Sequence, residues 1–302
     1  MNIGIDIGGS HIAIGLVEKD YIIEKREVQI DEKDKNKIEQ FIEDTIVLNI
    51  NTILREKNVY LSDINKIGIA VPGTVESGNT IKNIVNLGIK EIKIADDLKK
   101  YYPNIEILVK NDAKCAAIAE KLYGNMKEYK NSLFICLGTG VGGALFINGE
   151  LFEPEKYSGF EIGHMSIKQS GEKCKCGKIG CFDIYGSMKK LKAKLTQSLK
   201  IPSNSISYEI LPKLKEKNTN EIKKIIDDYV ENLAIGISNL INIFEPEIIV
   251  IGGSFTYYQS ILLEPLKEKV IKENLLFNKR EDINIVAAKL LNDAGIIGAA
   301  SL

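Results

Sequence analysis

Two segments of the chain repeat one pattern: an apolar strand, a glycine-rich turn and a second apolar strand. The first is IGIDIGGSHIAIGLV at residues 3–17, and the second is FICLGTGVGGALFING at residues 134–149. Either segment alone is typical of an ordinary glycine-containing hairpin. Their recurrence in separate parts of the chain predicts two lobes that share one supersecondary unit.

The remainder of the sequence is typical of two α/β domains. At 302 residues the chain exceeds the usual span of a single hydrophobic core. Strand patterns alternate with helical ones, including a helical pattern over residues 184–199. We expect a smaller N-terminal α/β domain from 1–117 plus about 289–302. A larger C-terminal α/β domain with a cysteine-rich loop is expected from 118–288.

Charge and hydropathy argue against several classes of function. The 40 basic and 41 acidic residues give a net charge of −1, so no global field attracts nucleic acid or anionic lipid. The N-terminus lacks the basic and apolar regions of a signal peptide, and no window is long and apolar enough to span a bilayer. We therefore expect a cytoplasmic protein that binds neither nucleic acid nor membranes.

The second glycine turn also has the spacing of a dinucleotide-binding motif. Gly138, Gly140 and Gly143 satisfy GxGxxG, a pattern in which a pyrophosphate rests on a helix N-terminus. The residues that follow, 144–147, are an apolar run closed by Asn148-Gly149, which predicts a strand where that motif needs a helix. We therefore favour a hairpin whose backbone N–H groups cradle phosphate.

The first glycine turn has a carboxylate beside it. Asp6 precedes Gly8 and Gly9, and phosphoryl transfer needs a divalent cation near the phosphates. An acidic residue in this place is suited to hold magnesium, directly or through water. The alternative is that Asp6 only caps the turn.

A second carboxylate stands at the start of a predicted helix. Asn111 and Asp112 follow a strand pattern and open the helical segment AKCAAIAEKLY. A capping role is the simple interpretation, because the helix dipole stabilises a carboxylate there. Their position at the expected junction of the lobes favours a second role for Asp112, as a general base that accepts a hydroxyl proton during phosphate transfer.

Three of the five cysteines lie in KCKCGKIGC at residues 173–181, which is typical of metal binding rather than disulfides in a cytoplasmic protein. His164 precedes them, so one imidazole and three thiolates are available for tetrahedral zinc. The alternative is a reduced loop without metal. The four predicted ligands are His164, Cys174, Cys176 and Cys181. The other two cysteines, Cys115 and Cys136, lie in apolar patterns and are expected in the core.

Together these motifs resemble the signature series of the ROK family of bacterial kinases and repressors. The resemblance runs from residue 3 to DAGIIGAA at 293–300, and EIGH followed by CxCGxxGC is its most specific part. The matching motifs occur in the family's order and are DIGGSHIAIG at 6–15, PGTV at 72–75, NDAKCAA at 111–117, GTGVGG at 138–143, EIGH at 161–164 and CKCGKIGCFD at 174–183.

The resemblance implies an α/β, two-lobe actin-like (ribonuclease H-like) sugar kinase fold with ATP in the interdomain cleft. It implies Mg-ATP as cofactor, with Asp6 near magnesium, and zinc as a structural clamp. The implied nucleotide-binding residues are Asp6, Gly8, Gly9, Ser10, Gly138, Thr139, Gly140, Gly142, Gly252 and Gly253. The implied sugar-binding residues are Gly73, Asn86, Asn111, Asp112, Glu161, His164 and Asp183, with Asp112 as the general base.

The implied activity is transfer of the γ-phosphate of ATP to the 6-hydroxyl of a hexose, by a homodimer. Glucose is the first candidate substrate, and N-acetylmannosamine and other hexoses or N-acetylhexosamines are the alternatives. Asp183 stands where the family normally has glutamate, which leaves the identity of the sugar open. Phe160 replaces a residue that is usually small, and Ser10 replaces the commoner threonine with another hydroxyl.

Two alternatives belong to other functional classes. A ROK-type repressor would carry a helix-turn-helix domain ahead of the first glycine turn, and we do not expect one because five residues precede Asp6. A non-catalytic sugar or nucleotide sensor is expected to have lost the base or a phosphate turn. Asp6, Asp112 and both glycine turns are present, which favours the enzyme.

Overall fold

The computed structural model describes residues 1–76, 79–84, 87–154, 160–217, 219–272 and 284–302. The chain divides into two compact units. The first unit contains Met1–Lys127, a short segment that begins at Glu153, and Asn292–Leu302. The second unit contains Glu128–Phe152 and the described residues of Phe160–Leu291. The sequence-based domain limits, 1–117 with about 289–302 and 118–288, stay a prediction.

The elements of the first unit alternate strands and helices. In chain order they are β1 (Asn2–Ile7), β2 (His11–Glu18), β3 (Tyr21–Gln29), α1 (Ile38–Lys57), β4 (Lys66–Val71), β5 (Thr74–Glu76), β6 (Thr80–Ile84), β7 (Ile89–Ile92), α2 (Ile94–Lys99), β8 (Glu106–Asn111) and α3 (Asp112–Tyr123).

The second unit begins with another hairpin and continues with most of the helices. Its elements are β9 (Ser132–Leu137), β10 (Val141–Ile147), β11 (Glu150–Leu151), α4 (Phe182–Gly186), α5 (Met188–Leu199), α6 (Ser207–Glu216), α7 (Asn220–Phe244), β12 (Ile248–Gly252), α8 (Gln259–Lys272) and β13 (Asn284–Ala287). The last helix, α9 (Ala294–Ala300), belongs to the first unit.

The two units contain five-stranded sheets of the same topology. The strand order is β3-β2-β1-β4-β8 in the first sheet and β11-β10-β9-β12-β13 in the second. In each sheet the first three strands in chain order pair antiparallel with their neighbours. The other two strands, β4 and β8 in the first sheet and β12 and β13 in the second, run parallel to β1 and β9 respectively. The repeated sequence pattern therefore corresponds to a repeated structure. A small antiparallel sheet, β5-β6-β7, was not expected from the sequence.

Helices α1 and α9 pack on strands of the first sheet. Ile42, Ile46 and Ile50 recur at helical spacing on α1 and are buried in the core of this unit. Helix α9 packs on β1 and β4. A Cβ atom at Gly4 would lie 2.1 Å from the Ile296 carbonyl oxygen, so only glycine permits this approach. Asp6, two residues after Gly4 on β1, points to the same face.

The second unit has its core between the sheet and helices α4, α5, α7 and α8. Residues 184–199 are not one helix as expected, because α4 ends at Gly186 and α5 begins after an extended Ser187. The break has a packing reason. Phe182 is fully buried, and a Cβ at Gly186 or at Gly236 of α7 would lie 2.6 Å from its ring. Glycine disfavours the helical conformation, so α4 ends at Gly186 and the extended Ser187 separates it from α5.

Candidate functional site

Asp6 lies at the end of β1, directly before the first glycine turn. Its Oδ2 atom is close to the start of α9, since a Cβ built at Gly295 would lie 2.2 Å away. The Gly8 N–H donates to the His11 carbonyl at 2.8 Å, which closes the turn. Gly9 and Ser10 are exposed, so the turn presents its backbone to solvent. This arrangement suits binding of an anion by backbone N–H groups.

Asn111 caps α3 and brings two predicted sugar-binding residues together. Its side-chain oxygen accepts the Ala113 N–H at 3.1 Å, and its amide donates to the Gly73 carbonyl at 3.1 Å. Asp112 Oδ1 also accepts the Ala113 N–H, at 2.8 Å. Both the capping interpretation and the placement of Asp112 beside Asn111 therefore agree with the structure.

The Asp6 and Asp112 carboxylates are electrostatically coupled. Burial raises the pKa of Asp6 to about 6, while the Lys25 ammonium opposes that rise. Burial and, second, the Asp6 carboxylate raise the pKa of Asp112 to about 7. Each side chain keeps some contact with solvent but sits within a dense shell of protein atoms. A carboxylate with a pKa near neutrality can accept a proton under physiological conditions, as a general base must.

Charged neighbours of this pair were missed in the sequence. Glu153 forms a bridge between Lys110, whose Nζ lies 2.8 Å from both carboxylate oxygens, and Lys114, at 3.4 Å. Burial raises the pKa of Glu153, but the Lys110 and Lys114 ammonium groups together more than offset this effect, and the net shift of the pKa is downward. The two lysines flank Asn111 and Asp112 in the sequence, which was the available signal. The partner Glu153 could not be inferred from spacing.

The second glycine turn joins β9 to β10, and the segment after it is a strand. The alternative of a dinucleotide-binding motif is thereby excluded, because that motif requires a helix there. Within the turn the Gly138 N–H donates to the Gly140 carbonyl at 3.0 Å. Thr139 at the tip of the turn is exposed. Gly142 is the second residue of β10 and pairs with Cys136 of β9.

Gly252 and Gly253 lie next to this turn at the end of β12. Gly252 pairs with Cys136, and Gly253 has a left-handed backbone with φ of 73°. A Cβ at Gly253 would lie 2.5 Å from the Leu137 carbonyl oxygen, so both conformation and space require glycine. The structure therefore gathers the predicted nucleotide-binding glycines of the second unit at one edge of its sheet.

His164 and the three cysteines form one cluster. Their ligand atoms all lie within 4.8 Å of one another. His164 Nδ1 is 3.8 Å from Cys174 Sγ, and Cys176 Sγ is 3.6 Å from Cys181 Sγ. In a tetrahedral site with Zn–S bonds of about 2.3 Å, sulfur atoms are roughly 3.8 Å apart. The four side chains thus fit a structural zinc site in donor type and spacing.

The remaining predicted sugar-binding residues have distinct surroundings. Glu161 is exposed and follows Phe160, which has φ of 73° and packs on Phe244 with ring centroids 5.5 Å apart. Asp183 Oδ1 accepts the Val141 N–H of the second glycine turn at 2.7 Å. Asn86 lies outside the described residues.

Comparison with known proteins decides the family. A sequence profile described as ROK family matches residues 2–302. The chain belongs to the ROK family. The resemblance predicted from the motifs is therefore confirmed along essentially the whole chain.

Relatives of this ROK protein have more than one kind of function. A glucokinase of Thermotoga maritima is 28% identical, with 99% of this chain and 96% of the relative covered. An N-acetyl-D-glucosamine kinase of Histophilus somni is 28% identical, with 100% and 98% covered. A xylose repressor of Caldicellulosiruptor bescii is 26% identical, with 99% and 77% covered.

Solved structures of ROK proteins share the fold. A ROK glucokinase of Streptomyces griseus, described in complex with glucose and AMPPNP, superposes with a TM-score of 0.78 at 23% identity, with 99% of this chain and 98% of that chain covered. A ROK hexokinase of Thermus thermophilus has a TM-score of 0.77 at 23% identity, with 99% and 96% covered. The predicted two-lobe actin-like α/β fold class of the ROK protein is confirmed. Among its described residues, no helix combines the length and apolarity needed to cross a membrane.

Proposed function

We propose that this ROK protein is an ATP-dependent hexose kinase that transfers the γ-phosphate of ATP to the 6-hydroxyl of its sugar. The observation that carries the proposal is a pair of half-buried carboxylates in the first unit, Asp6 and Asp112. Asp112, with its pKa raised to about 7, is the general base, and Asp6, with its pKa raised to about 6, is the cation-binding residue. A residue that only caps a helix has no need of a carboxylate whose pKa lies near neutral pH.

Asp112 accepts the proton of the sugar hydroxyl as its oxygen attacks phosphorus. The side chain is oriented for this by the Ala113 N–H at the start of α3. The proton passes to the carboxylate while the bond from the γ-phosphorus to the bridging oxygen of ADP breaks. A base of this pKa is largely ionised at pH 8 and still basic enough to assist the transfer.

Asp6 fits magnesium because its carboxylate is half-buried and its negative charge is only partly compensated. The Lys25 ammonium, which opposes the rise in the pKa of Asp6, also pairs with Asp293 at 3.0 Å. A divalent cation would supply the missing positive charge and neutralise the phosphates when ATP is bound. The phosphates themselves are assigned to the backbone of the two glycine turns. The proposed set is Gly8, Gly9, Ser10, Gly138, Thr139, Gly140 and Gly142, with Gly252 and Gly253 toward the adenosine.

The sugar is assigned to polar side chains that can pair with neutral hydroxyls. The proposed residues are Gly73, Asn86, Asn111, Asp112, Glu161, His164 and Asp183. Unpaired polar groups in such a site are costly, so a sugar with one hydroxyl displaced is rejected. Glucose is the first candidate, supported by the glucokinases among the relatives, and N-acetylmannosamine or another N-acetylhexosamine is the alternative.

Zinc at the His164 and cysteine cluster is proposed as a structural clamp. His164 faces Cys174 through Nδ1, which leaves its Nε2 side for the sugar. The Lys178 ammonium donates to the His164 carbonyl at 2.7 Å and fixes the backbone there. Zinc would orient His164 without entering the phosphoryl transfer. We also propose a cytoplasmic homodimer as the active form.

The alternative of a non-catalytic sugar sensor or repressor is supported by the xylose repressors among the relatives. It does not account for the coupled Asp6 and Asp112 carboxylates or for two glycine turns with accessible backbone. We therefore rank the kinase first.

The test is a coupled ADP-release assay with Mg-ATP and a panel of glucose, mannose, fructose, allose, N-acetylglucosamine and N-acetylmannosamine. We expect turnover on one or a few sugars and a loss of about 10²-fold to 10⁴-fold in Asp112→Asn. A folded wild type that binds sugar but turns over none of the panel would favour the sensor.

A further inference from the structure

We propose that Asp183 is a positioning residue for the second glycine turn, and that it acts on nucleotide binding by holding that turn in shape. The inference rests on the proposed function, in which this turn binds the phosphates of ATP. It differs from the role expected from the sequence, where Asp183 was only a ligand for sugar hydroxyls.

The first observation is a short hydrogen bond between Asp183 and the turn. Its Oδ1 accepts the Val141 N–H at 2.7 Å. The Gly140 Cα lies against the same oxygen, because a Cβ built at Gly140 would be 2.5 Å from it. A carboxylate that accepts a backbone N–H makes a strong, charge-assisted bond. Asp183 therefore restrains the turn at two consecutive residues.

A second hydrogen bond from the same segment holds the other end of the turn. The Lys189 N–H, in the first turn of α5, donates to the Gly138 carbonyl at 3.1 Å. The turn is thus fixed at Gly138 from α5 and at Val141 from α4. The tip of the turn between these two residues, which includes the exposed Thr139, is the part that would contact the phosphates. Backbone N–H groups bind phosphate well only when they are held in one arrangement before it arrives.

The helix that carries Asp183 is itself firmly placed. The adjacent Phe182 is fully buried, with its ring against Gly186 and Gly236. The Phe182 N–H donates to the Met165 carbonyl at 2.8 Å. With this backbone fixed, the short aspartate side chain ends at the turn, and a glutamate would reach about 1.5 Å farther.

The first experiment measures Mg-AMPPNP binding by calorimetry, together with the KM values for ATP and for the sugar. Asp183→Ala removes the acceptor, and we expect the Kd and the KM for ATP to rise about tenfold, as loss of a hydrogen bond to a charged group implies. Asp183→Asn keeps an oxygen for the Val141 N–H, so its Kd should stay within about threefold of wild type. The exposed Asp227→Ala is the control for loss of one negative charge and should leave both constants unchanged.

A second variant changes Gly140, the residue in contact with Asp183, and keeps the Asp183 carboxylate. Gly140→Ala places a methyl group where Asp183 Oδ1 lies, so we expect it to weaken Mg-AMPPNP binding in the wild-type background. In the Asp183→Ala background the methyl group has room, and the same change should cost less. This non-additivity is a property of residues in contact. If Asp183→Ala folds poorly, hydrogen exchange of the Val141 N–H reports the same contact without that variant and without nucleotide. We expect faster exchange in Gly140→Ala than in wild type and near-wild-type exchange in Asp183→Asn, and equal exchange in all three proteins would overturn the inference.

The outcomes separate this inference from the proposed function. Wild type that binds Mg-AMPPNP, with Asp183→Ala raising only the KM for the sugar, would overturn the inference and leave the kinase intact. Additive effects in the double variant would overturn it as well. Wild type that binds no Mg-AMPPNP would overturn the proposed function and the inference with it.

Discussion

At the scale of single residues, the pair of Asp6 and Asp112 determines the pH behaviour of this protein. Burial and, second, the negative charge of Asp6 disfavour ionisation of Asp112 and raise its pKa. Two predictions follow from the raised pKa values, one for activity and one for stability.

The first concerns the pH dependence of phosphoryl transfer. The general base must be ionised. We therefore expect kcat/KM for the sugar to fall about tenfold for each pH unit below about pH 7 and to be constant above that pH. The measurement is a pH profile of initial rates at saturating Mg-ATP. A profile that stays flat down to pH 5 would remove Asp112 from the role of base.

The second prediction concerns stability without ligand. Because the pKa of Asp112 is raised in the folded protein, the native state holds more protons than the unfolded state between about pH 4 and pH 7. The contribution of Asp112 to the free energy of unfolding therefore decreases as the pH rises from about 4 to about 7. Asp112→Asn removes the buried charge, and we expect its Tm to exceed that of wild type by roughly 5 °C at pH 8. The difference should shrink toward pH 4, and a difference independent of pH would contradict the assigned ionisation.

At the scale of elements, close packing of α9 on the first sheet determines where Asp6 lies. A Cβ at Gly68 of β4 would be 1.8 Å from the Ala299 carbonyl oxygen, a contact that cannot be relieved by a side-chain rotation. We expect Gly68→Ala to lower the free energy of unfolding by about 3 kcal/mol, as an overpacked core does. Gly138→Ala is the matched control, since a Cβ there meets nothing within 4 Å. Equal denaturant midpoints for the two variants would contradict this packing.

The cysteine cluster is a second element with a measurable consequence. We expect about one zinc per chain in purified protein, since its four side chains fit a structural zinc site. Cys174→Ser should lose the metal and melt several degrees lower, because metal binding contributes to folding. Cys136→Ser, outside the cluster, is the control and should keep its zinc. Metal content is measured by mass spectrometry, and a stable Cys174→Ser with wild-type melting would contradict a structural role.

The sequence predicted long, strongly patterned elements better than short ones. The hairpin β1–β2 followed directly from its apolar strand pattern. The small sheet β5-β6-β7 was missed because its strands are three to five residues long and mostly polar. The break between α4 and α5 was missed because it depends on the Phe182 ring, which contacts α7 from a distant part of the chain.

At the scale of the whole molecule, two units of equal sheet topology each place a glycine turn after the first strand of their hairpin. This duplication was predictable because the turn and its flanking strands are local in sequence. The distant partners of the candidate-site segments were not predictable, since Asp183 is 42 positions from Val141 and Glu153 is 43 from Lys110. The motifs therefore predict the residues of the candidate site, and the structure adds contacts that spacing along the chain does not predict.

The most direct test of the central claim is the product of the reaction. Wild-type protein and Asp112→Asn would be incubated with Mg-ATP and the preferred hexose, and the phosphorus spectrum followed by NMR. We expect a hexose 6-phosphate signal to grow in step with ADP in wild type and to be nearly absent in the variant, while both proteins bind the sugar. A 6-phosphate signal that grows equally fast with Asp112→Asn would contradict the claim, as would ADP formed with no sugar phosphate.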